Sequence, residues 1–111
     1  MEKFAVGTVL LVTFPFSNLK GKKLRPALVL AEVEFNNLIL CQITSKPYTS
    51  KTAIQIDASD FSEGRLPVTS FVRPDKIFTA DTSIVRNSAG ALKMRMKQKI
   101  LRKVRDIFII S

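Results

Sequence analysis

The sequence has no histidine among its 111 residues. Ribonuclease chemistry based on paired histidines, zinc sites with histidine ligands and Ser-His-Asp hydrolysis are therefore all excluded. Any catalysis by this chain has to use arginine, lysine, threonine, serine, tyrosine or a carboxylate.

Cysteine is represented by one residue, Cys41, so no internal disulfide can form. Because Cys41 lies in the apolar stretch LILCQI, we predict a buried and unreactive thiol. No apolar run approaches the roughly 20 residues that cross a bilayer. The start MEKFAVG has none of the features of a signal peptide. These observations favour a cytoplasmic protein.

Acidic residues are also few. Nine carboxylates stand against eighteen lysines and arginines, which gives a formal net charge of +9. This imbalance favours a polyanionic partner: nucleic acid first, an acidic protein second and an anionic membrane third. A basic surface without a specific partner is the alternative.

The chain is long enough for one compact domain, 1–111, and 46% of its residues are hydrophobic. Strands are predicted from stretches rich in apolar and β-branched residues at 8–14, 26–35, 37–44 and 53–57, with two more in 69–81 interrupted at Pro74. The turn-prone pair Asn36-Asn37 separates two of these strands, and 58–67 is predicted to be a turn or short helical piece closed by Gly64.

The end of the chain has a different pattern. Apolar residues recur at helical spacing after Leu92, at Met96, Ile100, Leu101, Val104 and Phe108. Five to seven short strands followed by one helix predict a mainly β, antiparallel small barrel with a C-terminal helix. A parallel sheet is not expected, because the early strands leave no room for crossover helices.

Arg25 lies where the cationic loop KGKK meets a predicted strand. Pro26 restricts the backbone of Arg25 to extended conformations, and the apolar run 27–30 would fix it to the sheet. A guanidinium held in this way offers five donors in a rigid fork that suits a phosphate. The alternative is a structural arginine that caps a strand or pairs with an acid such as Asp75.

Two hydroxyls, those of Thr44 and Ser45, follow directly at the end of a predicted strand in the segment ITSK. A hydroxyl at this position can donate a hydrogen bond to a phosphoryl oxygen as its charge grows. The alternative is a Ser/Thr turn that ends the strand.

Three lysines, Lys20, Lys22 and Lys23, precede Arg25 in the loop and suit attraction to a phosphate backbone, which is blind to base identity. Phe16, at the mouth of the same loop, is a candidate for stacking on a base, with packing in the core as the alternative.

These segments together resemble the MazF/PemK toxins of bacterial type II toxin–antitoxin pairs. The similarity is carried by GTVLLVTFPFSNLKGKKLRPALVL (7–30), LCQITSK (40–46), LPVTSFVRPDKIFTAD (66–81) and AGALKMRMKQKILRKV (89–104). It covers nearly the whole chain, and its most specific parts are the Arg-Pro-Ala and Ile-Thr-Ser blocks.

The resemblance implies an SH3-like barrel of the CcdB/MazF type, a homodimer, and a metal-independent endoribonuclease without a cofactor. Such enzymes cut single-stranded RNA by attack of the ribose 2′-hydroxyl and leave a 2′,3′-cyclic phosphate and a 5′-hydroxyl. The family's catalytic arginine falls on Arg25 and its threonine on Thr44, with Ser45 adjacent. Lys46, Asp75 and Lys76 are expected to join the loop residues in binding RNA. An acidic antitoxin protein is the implied partner.

The chain departs from the family pattern at two places. Thr8 stands where many members carry aspartate, and the basic loop before Arg25 lacks the glutamate that several members have. If that glutamate assists proton transfer elsewhere, this chain lacks it, so the resemblance assigns no general base here.

Three other classes of function remain as alternatives. These are a nucleic-acid-binding barrel without catalysis, a toxin that poisons DNA gyrase as the related CcdB toxins do, and a domain that only binds an acidic protein. Cleavage of a labelled RNA separates the first and third from the enzyme, and gyrase inhibition identifies the second.

Overall fold

The computed structural model describes residues 4–13, 23–48 and 50–109. These residues form seven strands and one α-helix: β1 (Thr8–Thr13), β2 (Leu24–Val33), β3 (Asn37–Thr44), β4 (Ile54–Ile56), β5 (Phe61–Gly64), β6 (Ser70–Asp81), β7 (Val85–Leu92) and α1 (Met94–Ile107). Short 3₁₀ turns at Ala58–Asp60 and Thr82–Ile84 precede β5 and β7.

All seven strands belong to one sheet in the order β4-β6-β3-β2-β1-β7-β5, and every neighbouring pair is antiparallel. The sheet curls into a half-barrel and the helix follows it. The predicted mainly β, antiparallel architecture with a C-terminal helix is confirmed. No helix in the described part of the chain has the length and apolar character needed to cross a membrane.

The central strands are apolar almost throughout because both of their faces are buried. A first hydrophobic cluster contains every second side chain of these strands and includes Val9, Leu28 and Ile43. A second cluster takes the other set: Leu10, Val12, Ala27, Val29, Leu38 and Leu40. When successive side chains of a strand enter two different buried clusters, the sequence of that strand is a continuous hydrophobic run, as it is here.

Helix α1 packs on the first cluster through a narrow stripe. Ile100 is fully buried, and Met96 and Val104, four residues before and after it, contact the same cluster. Leu101 and Phe108 were predicted on this face, but they are 37% and 70% exposed. The stripe is narrower than the sequence suggests because residues at i and i+4 lie above one another, whereas the next residue is turned about 100° away.

Pro74 does not interrupt the sixth strand, contrary to the sequence prediction of two short strands. Cys41 and Gln42 of β3 pair with Ile77 and Arg73, so Pro74 and the two residues after it form a bulge in the continuous strand β6. A bulge accommodates proline because proline has no N–H to donate to the ladder.

The turn between β2 and β3 lies one residue earlier than predicted. Phe35 and Asn36 have φ of 61° and 60°, and the Asn37 N–H donates to the Glu34 carbonyl at 3.2 Å. Two successive positive φ angles are what a tight type I′ hairpin turn requires. Asn37 is already part of β3, where it pairs with Val33 and Asp81.

Gly64 is the last residue of β5 and does not close a turn. It pairs with Gly90 of β7, and a Cβ on either glycine would collide with the backbone of the opposite strand. Two glycines facing each other therefore allow this close approach of β5 and β7.

Replacement of Ile100 tests the packing of the helix. We expect Ile100→Ala to lower the free energy of unfolding by about 2–5 kcal/mol, because it leaves a cavity between α1 and the first cluster. Leu101→Ala, one residue further, should cost about 1 kcal/mol or less. Urea denaturation followed by circular dichroism measures both, and equal losses would show that the helix packs through a different face.

Candidate active site

The pairing of β2 with β3 places Arg25 and Thr44 on one face of the sheet. Ala27 lies opposite Gln42, and both Arg25 and Thr44 lie two residues further toward the same end of the strand pair. Because side chains alternate along a strand, all four residues share one face. This is the face of the second cluster, to which Ala27 belongs. The two residues singled out from the sequence therefore come together at the end of that cluster.

Arg25 is half-buried at the start of β2, where its partner on the other side is Val12 of β1. Its Nε is buried and has no hydrogen-bond partner among the described residues. A buried donor without an acceptor costs about 1–3 kcal/mol and is rare in folded proteins. An anion at this position would supply the missing acceptor.

Asp75, the alternative partner considered for Arg25, is bound to another arginine. The Arg73 Nε donates to Asp75 Oδ1 at 3.1 Å, and the Arg73 Nη2 donates to Oδ2 at 3.0 Å. Among the residues that the structure describes, Arg25 forms no ion pair. The charge of Arg25 is therefore not compensated there.

Thr44 forms the Ser/Thr turn considered as the alternative to a functional role. Its Oγ1 accepts a hydrogen bond from the Lys46 N–H at 3.1 Å and donates a longer one to the Lys46 carbonyl at 3.3 Å. The N–H holds the oxygen in place, while the hydroxyl proton can rotate toward another acceptor. The turn therefore positions the Thr44 oxygen and leaves its proton available.

Arg73 is the site residue that sequence reasoning missed. It pairs with Gln42 of β3, so its side chain lies on the same face as Thr44. Arg25 and Arg73 thus flank β3 from its two neighbouring strands. The available signal was the dipeptide Arg-Pro, which occurs at 25–26 and again at 73–74.

Asp75 holds Arg73 in a fixed orientation through the two parallel hydrogen bonds, and Thr52 Oγ1 donates to the same carboxylate at 3.4 Å. The hydrogen bond from Arg73 lowers the pKa of Asp75 below its ordinary value of 3.8, with a smaller effect from Thr52. The Asp75 carboxylate is therefore ionised at neutral pH and holds the Arg73 guanidinium in place.

The remaining predicted RNA-binding residues are dispersed around this face. Lys23, Lys46 and Lys76 are exposed and lie within two residues of Arg25, Thr44 and Asp75 respectively, and Ser45 is exposed directly after β3. Lys20, Lys22 and Phe16 lie outside the described residues. The roles of all these residues stay predictions.

Cys41 is fully buried, and burial raises the pKa of its thiol to about 12, with a smaller contribution from the charge of Asp75. It is therefore an unreactive core residue, as predicted from the sequence. Within the described ranges, no group of histidine, cysteine and carboxylate side chains is arranged to hold a metal ion.

Comparison with known proteins identifies the family. The sequence model of the PemK-like, MazF-like toxins of type II toxin–antitoxin systems matches residues 5–108. The chain belongs to this family. Among curated proteins, no sequence gives a significant match.

Solved structures share the fold of this MazF-like chain. One is a MazE–MazF structure from Deinococcus radiodurans, with a TM-score of 0.74, 19% identity, and 96% of each chain covered. Another is an endoribonuclease in complex with its cognate antitoxin from a mycobacterial species, with a TM-score of 0.73, 17% identity, and 94% of this chain and 93% of the other covered. The toxin MazF-mt6 of Mycobacterium tuberculosis has a TM-score of 0.70 and 18% identity, over 94% of this chain and 98% of that one.

Removal of Arg73 tests its contact with Asp75. In Arg73→Ala, we expect the pKa of Asp75 to rise toward 3.8, because the first cause of its lowering is lost. The contact between Arg73 and Asp75 stabilises the folded protein at pH values above 3.8, the ordinary pKa of Asp75. This stabilisation is lost as the pH falls through the lowered pKa of the folded state. Carboxyl-carbon NMR titration measures the change.

Asp57 provides an internal control in the same titration. Its pKa is also lowered, but by hydrogen bonds from Ser59, so it should not move in Arg73→Ala. A shift of both carboxyls would indicate a general change in fold, and a shift of neither would show that Arg73 does not bind Asp75.

Proposed function

We propose that this chain is a ribonuclease toxin that cuts single-stranded RNA, mRNA in particular, in the bacterial cytoplasm. The observation that carries the proposal is the buried, unpartnered Nε of Arg25, at the same end and on the same face as Thr44. Membership of the MazF-like toxin family, and the description of a fold relative as an endoribonuclease, support it.

In the proposed reaction, Arg25 binds the scissile phosphate. The 2′-hydroxyl of the preceding ribose attacks phosphorus, the bond to the 5′-oxygen breaks, and the proton released by the 2′-hydroxyl is balanced by one taken up at the 5′-oxygen. The products are a 2′,3′-cyclic phosphate and a 5′-hydroxyl. Negative charge grows on the phosphoryl oxygens during this step, and the guanidinium faces that charge.

Thr44 acts on the same phosphoryl group in this proposal. Its oxygen is held by the Lys46 N–H, so its proton can donate to a phosphoryl oxygen in place of the long bond to the Lys46 carbonyl. Ser45 supports it from the adjacent position, and Lys23, Lys46 and Lys76 attract the backbone.

Proton transfer receives little help from the described residues. Arginine has a pKa above about 12 and is a poor base. Asp75 has a lowered pKa, and both of its oxygens accept hydrogen bonds from Arg73, so it is a weak base as well. Positioning and electrostatic stabilisation therefore provide most of the rate in this mechanism.

An acidic antitoxin is the proposed protein partner. A net charge of +9 favours association with an acidic chain, and the Deinococcus and mycobacterial relatives are described as complexes with MazE or an antitoxin. By covering the face of Arg25 and Thr44, such a partner would exclude RNA.

We also propose that the toxin is a homodimer. Several apolar side chains at the two ends of α1 are exposed, namely Met94, Ile107, Phe108 and Ile109, and exposed apolar residues in such number mark interfaces. Sedimentation equilibrium should then report twice the 12.4 kDa mass of the chain, and a mass of one chain would contradict the dimer.

Substitution of Arg25 and Thr44 tests the enzymatic role. We expect Arg25→Ala and Thr44→Val each to slow cleavage of a long single-stranded RNA by about a hundred- to a thousandfold, because each removes a donor to the charged phosphoryl group. End mapping of the digest should find cyclic phosphate and 5′-hydroxyl termini, and a chelator should leave the wild-type rate unchanged.

Arg65→Ala is a matched control, since it removes one exposed arginine beyond the far edge strand β5. It should cut RNA at the wild-type rate. Undiminished cleavage by a folded Arg25→Ala would refute the assignment. Salt-dependent RNA binding without any cleavage by the wild type would support the non-catalytic nucleic-acid-binding alternative.

A further inference from the structure

A basic groove lies at the edge of the sheet, between β4 and α1. Its volume is about 460 Å³, and it is lined by Lys51, Thr52, Ala53, Ile54, Gln55, Lys99, Arg102, Lys103 and Asp106. The helical residues follow one another at spacings of three, one and three, which places them on one face of α1. Four cations and one carboxylate therefore face this groove.

The positive charge of the groove is not compensated within the described part of the chain. The ion pairs there join Arg73 to Asp75 and Arg105 to Asp106, at 3.0 Å and 3.2 Å. Asp106, the acid of the groove, is thus engaged by an arginine that does not line it. Among the residues that the structure describes, none of the four lining cations forms an ion pair with a carboxylate, so the groove suits an anionic ligand.

A row of side chains connects this groove to the candidate active site. Gln55 of β4 lies opposite Phe71 of β6, and Phe71 in turn lies opposite Thr44 of β3. Paired residues share a face, so Gln55 and Thr44 lie on the same face, two strand spacings or roughly 10 Å apart.

A second connection runs through hydrogen bonds. Thr52 lines the groove and donates to Asp75, which holds Arg73 beside β3. Gln55 also lines the groove, so a polymer bound at Arg25 and Thr44 that crosses β6 and β4 arrives at the groove at the sheet edge. Because α1 packs on the opposite face, against the first cluster, the polymer then passes around this edge to meet the lysines of α1.

We propose that the groove binds the phosphate backbone of single-stranded RNA on one side of the cut linkage. This inference rests on the proposed RNA cleavage, because it extends the track of the same substrate. An RNA strand fits better than an acidic protein segment, since Gln55, at the end of the row that carries Thr44, also lines the groove. Lysines on an exposed helix face contact phosphates without reading bases, so the groove adds affinity and no sequence preference.

The test measures binding of 2′-O-methyl oligonucleotides, which lack the attacking hydroxyl and cannot be cut. The double variant Lys99→Ala/Lys103→Ala loses two phosphate contacts. Each contact contributes about 0.7 to the magnitude of the slope of log affinity against log salt concentration. For an oligonucleotide of about 20 residues, the slope should fall by about 1.4 and the affinity at about 0.1 M salt by about 25-fold. A dinucleotide, whose single linkage occupies the active site and which is too short to reach the groove, should bind to this variant as it does to the wild type.

The control is Lys93→Ala/Arg95→Ala, which removes the same charge from residues at the start of α1 that do not line the groove. It should leave binding of the long oligonucleotide nearly unchanged. Equal weakening by both double variants, or by neither, would overturn the groove proposal. The groove proposal would also be overturned if the groove variant lost binding to poly-glutamate but kept its binding to RNA. That result would assign the groove to an acidic protein.

The outcomes also separate this inference from the proposed function. If the wild type neither binds the long oligonucleotide nor cuts RNA, the proposed function fails, and the groove proposal fails with it. If the wild type binds and cuts RNA while the groove variant matches it in both, only the groove proposal fails.

Discussion

The register between β2 and β3 is the constraint on which the candidate site depends. Antiparallel pairing with Ala27 opposite Gln42 gives Arg25 and Thr44 the same face and the same end of the sheet. A slip of one residue would turn Arg25 toward the opposite face. The register is held by burial on both sides, since the same strands supply Leu28 to one cluster and Val29 to the other. The hydrophobic core and the geometry of the site are therefore set by the same pairing.

The two Arg-Pro segments beside β3 differ in their electrostatic state. Arg73 is bound by Asp75 through two hydrogen bonds, whereas Arg25 has a buried donor with no acceptor among the described residues. Asp75 lies two residues after Arg73, within the bulge that begins at Pro74. One arginine is thus fixed by the protein itself, and the other is left to be satisfied by a ligand.

Much of this architecture could be predicted from the sequence because local patterns determine it. The apolar runs of β1, β2 and β3 and the helical spacing around Ile100 gave the mainly β fold and its terminal helix, and the burial of Cys41 followed from its neighbours. Arg25 and Thr44 were singled out as candidates from the strand ends at which they lie and from the resemblance to the MazF/PemK toxins.

The features that were missed depend on which strands become neighbours. Nothing local shows that Pro74 lies in a bulge, that Arg73 faces Gln42, or that the groove along β4 is lined by the helix, because each requires the register of distant segments. Exposure of Leu101 likewise depends on the angle at which α1 meets the sheet. The repeated Arg-Pro dipeptide was the one local sign of Arg73.

The ionisable side chains have a consequence for how such a protein can be controlled. Histidine is absent, the thiol of Cys41 has a pKa of about 12, and the pKa values of Asp57 and Asp75 lie below the ordinary one. Histidine is the side chain whose unperturbed pKa lies close to neutrality, and this sequence has none. A modest change of pH therefore finds no histidine to protonate or deprotonate, and the electric field of this molecule has no switch of that kind. An inhibitor therefore has to shield that field physically, and its removal or destruction restores the full field at once.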